Sequence, residues 1–421
     1  MPQPSAFAPQ PGTPPPAEPG SSKKKPALII GLVVVALLAA GGIYLATRSD
    51  DDSPTATTET VVDETAATQS TPETVDTTPA TPLPTVPNTN TTDLATTTTA
   101  AAIPAGAIDL GHGVYLPVPD GWKTTNKPAD VTTISDGKTS FAVQVLARPA
   151  GEDPAKLMQE YIDTFDTTFP TVTYGPSRYI GRIEGDMQID EYGIYYATYD
   201  PSDGIGLLGG VYAYVRGDGL TAIYDVFGGE DVGNLPDDAY NDFEHSLSAA
   251  PPLGNAVELT EREPFRVTTS HPNIAVDGLL AFTPAPGFNP ITAGNGQGMA
   301  SNGTYDFDVR KLTGQASLDA AVASAQAILA ASYSGLTFGQ PTNYDADSYG
   351  VTQRSVGWTG TYADGHPSSG AFDVFYDSAS SNAVVAFRNW FDVTPGDTTE
   401  PNAAESKFMY RSIVDSFTNI P

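Results

Sequence analysis

Few residues of this chain are spaced for the familiar chemistries. The four histidines, His112, His245, His271 and His366, form no His-Glu-x-x-His pair and no close metal-ligand spacing. No Gly-x-Ser-x-Gly elbow presents a nucleophilic serine, and no loop ends in Gly-Lys-Ser/Thr to cradle a phosphate. The absence of cysteine removes thiolate nucleophiles, thiolate metal sites and disulfides together. Asp345-Ala346-Asp347-Ser348-Tyr349-Gly350 begins like an EF-hand loop, but Tyr349 and Val356 stand where oxygen ligands belong. Gly294-Asn295-Gly296-Gln297-Gly298 lacks the strand and helix of a dinucleotide site and reads as a flexible loop. No catalytic residue, metal ligand or cofactor site is expected.

Aromatic side chains are what remains. Tyr192, Tyr195, Tyr196, Tyr199, Tyr212, Tyr214 and Tyr224 crowd one region. Strand alternation puts Tyr212 with Tyr214 on one face and Tyr195 with Tyr199 on one face, with Tyr196 opposite. One reading is core plus amphipathic edge. The other is a groove for a lipid, glycan or peptide, because such sites need apolar walls with a few polar tips. On the second reading the candidate ligand-binding residues are Trp122, Tyr195, Tyr199, Tyr212 and Tyr214, with Trp358, Phe372 and Trp390 as their counterparts further along.

Those counterparts exist because the chain repeats itself. Residues 114–122, Val-Tyr-Leu-Pro-Val-Pro-Asp-Gly-Trp, are answered by residues 281–288, Ala-Phe-Thr-Pro-Ala-Pro-Gly-Phe. Phe141, Val143 and Val145 correspond to Tyr305, Phe307 and Val309, and Val172–Gly175 to Leu336–Gly339 at the same offset. Each copy closes on a helix, Phe243…Ser246-Leu247 matching Ile413…Ser416-Phe417. In the first copy Asp153-Pro154 offers a helix cap, and Leu157, Tyr161 and Phe165 form one apolar stripe behind it. Phe141–Leu146 alternates like a half-buried strand, and Asp218-Gly219 marks a hairpin. In the second, Ser317 announces a helix and strands are expected over 355–362, 370–376 and 383–391. The predicted class is α+β: two tandem modules, 105–250 and 272–421 joined by a polar connector 251–271, each an antiparallel sheet with helices packed on one face.

The first quarter of the chain positions the rest. Residues 1–25 are a Pro-rich tail with little to bury, ending in Lys23-Lys24-Lys25. An apolar run follows, long enough to cross a bilayer as a single transmembrane helix over 26–47. Three lysines before the span, against only Arg48 after it before Asp50-Asp51-Asp52, place the N-terminus in the cytoplasm and the modules outside. A cleaved signal peptide is the competing reading. Residues 48–104, rich in Thr and Pro, read as a disordered stalk resembling O-glycosylated spacers. Residues 1–49 carry about +3, residues 50–104 about −9, and the remainder of the net −30 falls on the modules. That sign excludes a nucleic-acid partner, which needs basic residues in number.

A first strand running into Pro117-Val118-Pro119-Asp120-Gly121-Trp122, then an alternating strand, a helix, a Tyr-Gly corner, hairpins and a closing helix resemble the PsbP-like fold. The order is similar to that of the LpqN/LpqT-like exported actinobacterial proteins, here as a tandem duplicate. The resemblance implies a fold and a cell-envelope location. It carries no catalytic residue, and the usual single module and lipidated cysteine are replaced here by two modules and a membrane helix. The expected role is that of a membrane-anchored, non-enzymatic envelope protein presenting two modules to an envelope lipid, glycan or protein partner. A lipid or glycolipid carrier in envelope assembly is the alternative, and an enzyme of unrecognised type the remaining class.

Overall fold

The computed structural model describes residues 103–126, 131–183, 187–344, 351–391, 393–394 and 399–417. The expected membrane helix, the stalk up to residue 102 and the loop 345–350 lie outside the described residues. Among the described residues no helix is long and apolar enough to cross a membrane.

Two units of identical strand order follow one another. The first opens with a hairpin, β1 (Ile108–Gly111) and β2 (Val114–Leu116), then β3 (Lys123–Asn126), β4 (Thr132–Ser135) and β5 (Thr139–Ala147). Helix α1 (Pro154–Phe165) leads to β6 (Val172–Tyr174), β7 (Arg178–Ile183), β8 (Ile189–Thr198), β9 (Leu208–Arg216) and β10 (Leu220–Gly228), and α2 (Asp237–Ala249) closes the unit. Its sheet runs β3-β4-β5-β10-β9-β8-β6, with β7 also on β8.

The second unit has hairpin β11 (Ile274–Asp277) and β12 (Leu280–Phe282), then β13 (Asn289–Gly294), β14 (Gln297–Ser301), β15 (Tyr305–Leu312) and α3 (Leu318–Ser332). After these come β16 (Tyr333–Phe338), β17 (Thr342–Tyr344), β18 (Val351–Tyr362), β19 (Pro367–Asp377), β20 (Asn382–Phe391) and α4 (Ala403–Phe417). Its order, β13-β14-β15-β20-β19-β18-β16 with β17 on β18, matches strand for strand. Both sheets are antiparallel throughout, so the class and the duplication are as expected.

Local chemistry explains the elements. The Asp153 side chain accepts from the Ala155 N–H at 2.9 Å and Pro154 occupies the first helical position, starting α1. Ser317 accepts from the Ala320 N–H at 3.1 Å and starts α3. The two Pro-Gly turns have one geometry: Trp122 N–H donates to Pro119 O and Phe288 N–H to Ala285 O, both at 3.1 Å. Gly121 and Gly287 hold φ of 84° and 86° at the third position, as a type II turn requires.

The structure corrects several expectations. Helices lie on both faces of each sheet, not one. Phe141, Val143, Tyr214 and Tyr224 pack on α2 and the β1–β2 hairpin, on what we call face A. Ala142, Val211, Ala213 and Ile223 pack on Leu157, Tyr161 and Phe165 of α1, on face B. Adjacent residues point to opposite faces of a strand, so a strand covered on both sides buries every position. β8 does so along its whole length, and β5 is buried well beyond the half predicted from its alternation. The second sheet is likewise covered by α4 on face A and α3 on face B.

Segment 294–298 is a hairpin turn, not a loop. Gly294 pairs with Gln297, and Asn295 and Gly296 carry φ of 56° and 78°, the two-residue turn that matches strand twist. The closing helices align one turn earlier than expected. Ser246 Oγ donates to Phe243 O, and its counterpart by the same contact is Ser412, which donates to Met409 O. The sequence match of Val172–Gly175 with Leu336–Gly339 hides a slip. Tyr174 pairs with Tyr196 but Phe338 with Trp358, two positions back on the matching strand, after a bulge in β16.

The connector 251–271 is a strap on the first module. Ser177 N–H donates to Phe265 O at 2.7 Å, Phe265 N–H returns to Ser177 Oγ at 2.8 Å, and Val267 is buried against α1. The residue at the same sequence offset in the second module is Pro341, which has neither the N–H donor nor the hydroxyl acceptor.

The modules share one apolar cluster. Ala197, Ile205 and Leu208 of the first enter the core formed by Phe408, Met409 and Ile413 of α4. Lys407 Nζ reaches Asp203 at 3.1 Å across the same junction. Gly204, with φ of 86°, lies so close to α4 that a Cβ would fall 2.4 Å from Ala404 O. Gly204→Val is therefore expected to part the modules through both backbone strain and a clash with backbone. Calorimetry should resolve two thermal transitions in the variant against one in the parent. A single unshifted transition would show that the junction carries no coupling.

Candidate functional site

Aromatic rings cross the first sheet in a ladder on face A. Tyr195 meets Tyr212 edge-on at 6.2 Å, Tyr212 stacks on Tyr224 at 4.8 Å, and Tyr224 stacks on Phe141 at 5.2 Å. Glycines make room: a Cβ on Gly210 would fall 2.8 Å from the Tyr212 ring and one on Gly193 at 3.0 Å. Arg178 covers the outer end, 4.9 Å above Tyr195.

The hydroxyls under the ladder converge on acids. Tyr224 donates to Glu191 at 2.7 Å, Tyr240 to the same oxygen at 3.2 Å, and Tyr214 to Glu244 at 2.6 Å. Tyr214 and Tyr240 hydrogen-bond each other, closing the network. Burial pushes the Glu191 carboxyl up to about 7, against the tyrosine hydrogen bonds that hold it down. Directly through the sheet, Asp225 accepts from Tyr161 at 3.1 Å and Tyr196 at 3.0 Å. Burial raises that carboxyl to about 7 as well.

Of the sequence-nominated residues, Tyr195, Tyr212, Tyr214 and Trp122 share face A of the first module. Trp122 and Tyr214 are core. Tyr199 leaves the group: its hydroxyl donates to Glu405 at 3.3 Å and its ring meets Phe408 at 5.5 Å, so it belongs to the module junction. Tyr195 and Tyr212 instead line a small cleft open to the surface. Val226, Val232 and Asn234 form further walls, and Arg411 of α4 closes it from the second module. Sequence reasoning missed Arg411 because only the docking of α4 on the neighbouring module brings it there.

The second-module nominees are not equivalents of these tyrosines. Strand register places Trp390 where Val226 stands, since Tyr305 pairs with Trp390 as Phe141 pairs with Val226. By the same registers Arg388 replaces Tyr224 and Asp373 replaces Tyr214. Those two form an ion pair at 2.8 Å, and Arg388 also binds Glu400 at 3.0 Å. One module thus fills its face A with hydroxyl–carboxylate bonds, whereas the other centres its polar contacts on one arginine between two carboxylates. Trp358 and Phe372 lie on face B, against α3.

Face B differs further. Asn389 replaces Asp225, while Ala325 and Gly360 stand where Tyr161 and Tyr196 donate. Asn389 Oδ1 and Trp358 Nε1 are buried and find no hydrogen-bond partner among the described residues. Such an orphan costs about 1–3 kcal/mol, so two beside each other are not neutral packing.

Among the described residues no group of three His, Asp or Glu is placed to hold a metal ion. No protein-family model matches the chain and no curated protein is similar to it. Among solved structures, the Saccharomyces cerevisiae Ran-binding protein Mog1p matches 34% of this chain and 94% of its own, at 12% identity and a TM-score of 0.26. The T6SS immunity protein TplEi of Pseudomonas aeruginosa matches 70% of this chain and 96% of its own, at 13% identity and a TM-score of 0.20. A chain of the Tle4–Tli4 complex matches the same shares at 15% identity and a TM-score of 0.18. These likenesses assign neither family nor function. The site defines a tandem α+β protein whose two modules meet at an aromatic cleft.

Proposed function

We propose that this chain is a membrane-anchored, non-enzymatic cell-envelope protein that presents two diverged modules outside the cytoplasmic membrane. It takes an envelope lipid, glycan or protein partner in the cleft at their junction. The observation that carries the reading is that cleft, floored by Tyr195 and Tyr212 and closed by Arg411. Apolar rings with one cationic and one amide group at the rim suit recognition, not turnover. The apolar run over 26–47 behind three lysines supports the anchor. The element order supports the resemblance to LpqN/LpqT-like proteins. The different polar fillings of the two face A cores support diverged specificity.

Asn234 is exposed at the cleft wall, so Asn234→Trp plugs the space without disturbing a core. Envelope extracts passed over parent and plugged chains should give a lipid, glycan or protein retained only by the parent. Equal retention by both, or by neither, would overturn the cleft as the binding site.

A further inference from the structure

We infer that the second module carries a subsite for a neutral saccharide on face B, beyond the end of α3. The inference rests on the binding role proposed above but uses a different surface. Four strand pairings set one row of side chains across the sheet: Trp358 opposite Gly370, Gly370 opposite Asn389, Asn389 opposite Asp306, and Asp306 opposite Ser301. Gly370 gives the row its gap. A Cβ there would fall 2.5 Å from Trp358 Nε1, so the N–H edge of the indole lies over the glycine, beside Asn389.

Trp358 is 2% exposed and Asn389 7%, yet the indole donor and the amide acceptor have no partner among the described residues. Asp306 supplies a carboxylate at the next position. An aromatic rim surrounds them: Tyr333 lies 4.5 Å from Trp358, Tyr362 5.3 Å from Tyr333, and Phe391 5.6 Å from Tyr362. Tyr362 is 37% exposed and stands at the solvent side of this rim, and the subsite requires that its ring swing aside to admit the ligand.

The combination selects a ligand class. A pyranose has an apolar C–H face that stacks on aromatic rings, and hydroxyls that donate to a carboxylate or amide oxygen while accepting from an N–H. An anion would meet Asp306, and a purely apolar ligand would leave the donor and acceptor orphaned. The first module serves as an internal control. Ile194 stands for Trp358, Ala142 for Asp306, and the acceptor Asp225 is already satisfied by Tyr161 and Tyr196.

The test uses the full chain labelled with ¹⁵N-tryptophan and titrated with maltose, cellobiose and mannobiose, with glycerol and sodium glucuronate as controls. Trp358→Phe identifies the Trp358 indole resonance by its loss. At least one neutral disaccharide is expected to move that resonance saturably and leave Trp122 still. Asn389→Leu and the surface change Tyr362→Ala should each weaken binding by about tenfold. No saturable shift, the same response to glycerol, a response to glucuronate alone, or a contact to long-lived water without a saccharide shift would each overturn the subsite. Failure here with retention still abolished by Asn234→Trp would leave the cleft reading intact.

Discussion

Arg216→Met lowers the unfolding free energy by about 3–5 kcal/mol, the cost of breaking a buried ion pair from one side. Arg216 is fully buried. Its guanidinium binds both oxygens of Asp218 at 2.8 Å and three backbone carbonyls, Leu247 at 2.9 Å, Ala250 at 2.8 Å and Pro251 at 2.9 Å. These carbonyls belong to the end of α2 and the start of the connector, so one cation caps a helix and anchors the strap. Methionine fills the space but leaves Asp218 charged and the carbonyls unpaired. Arg216→Met with Asp218→Leu should recover only part of the loss, because the carbonyls stay orphaned. Chemical denaturation at neutral pH measures both. A loss below about 1 kcal/mol would mean that water reaches the pair and screens it.

The second large effect is a fall in stability as the medium turns from mildly acidic to neutral. Glu191 and Asp225 both lie at about 7 in the folded chain, against 4.5 and 3.8 for the free side chains. The folded chain keeps both protons at pH values where the unfolded chain has released them. Their contribution is complete below about pH 4, is lost progressively up to about pH 7, and is level beyond that. At roughly 1.4 kcal/mol for each unit of displacement, each group accounts for a change on the order of 3–5 kcal/mol. Glu191→Gln and Asp225→Asn remove the titration and should flatten the curve between pH 4.5 and 8. The duplicate already makes the second change, with Asn389 at the matching position. If parent and double variant lose stability in parallel over that range, these carboxyls are not the source.

The order of elements was legible because each has a local cause. Asp153-Pro154 and Ser317 start helices by capping, Pro286-Gly287 and Asp218-Gly219 turn the chain through allowed φ, and the offset repeat exposes the duplication. What stayed hidden depends on partners distant in sequence. Tyr224 and Asp225 are adjacent, and a polar residue beside an aromatic one reads as alternation with an exposed face. Only Tyr161 of α1 and Tyr196 of β8, converging on the Asp225 carboxylate, make both sides interior. The docking of the connector stayed hidden because its Arg, Glu and Thr read as polar, yet Phe265 and Val267 pack against the first module. Asn295-Gly296 is a local signal for a hairpin from the dipeptide alone, and the structure forms that turn. The cleft needed Arg411 from the other module. The counterparts of the tyrosines went astray because sequence offset does not report which side of a sheet a residue faces.

The shared helix α4 has a consequence for biosynthesis. Ala197, Ile205 and Leu208 are made about two hundred positions before Phe408 and Met409, which cover them. A chain emerging from its N-terminus therefore completes one lobe with a greasy margin still bare. The long delay favours mispairing with other nascent copies until the last helix arrives. Truncations that spare both sheets but remove this final segment should consequently accumulate as aggregates, not as a soluble half-molecule.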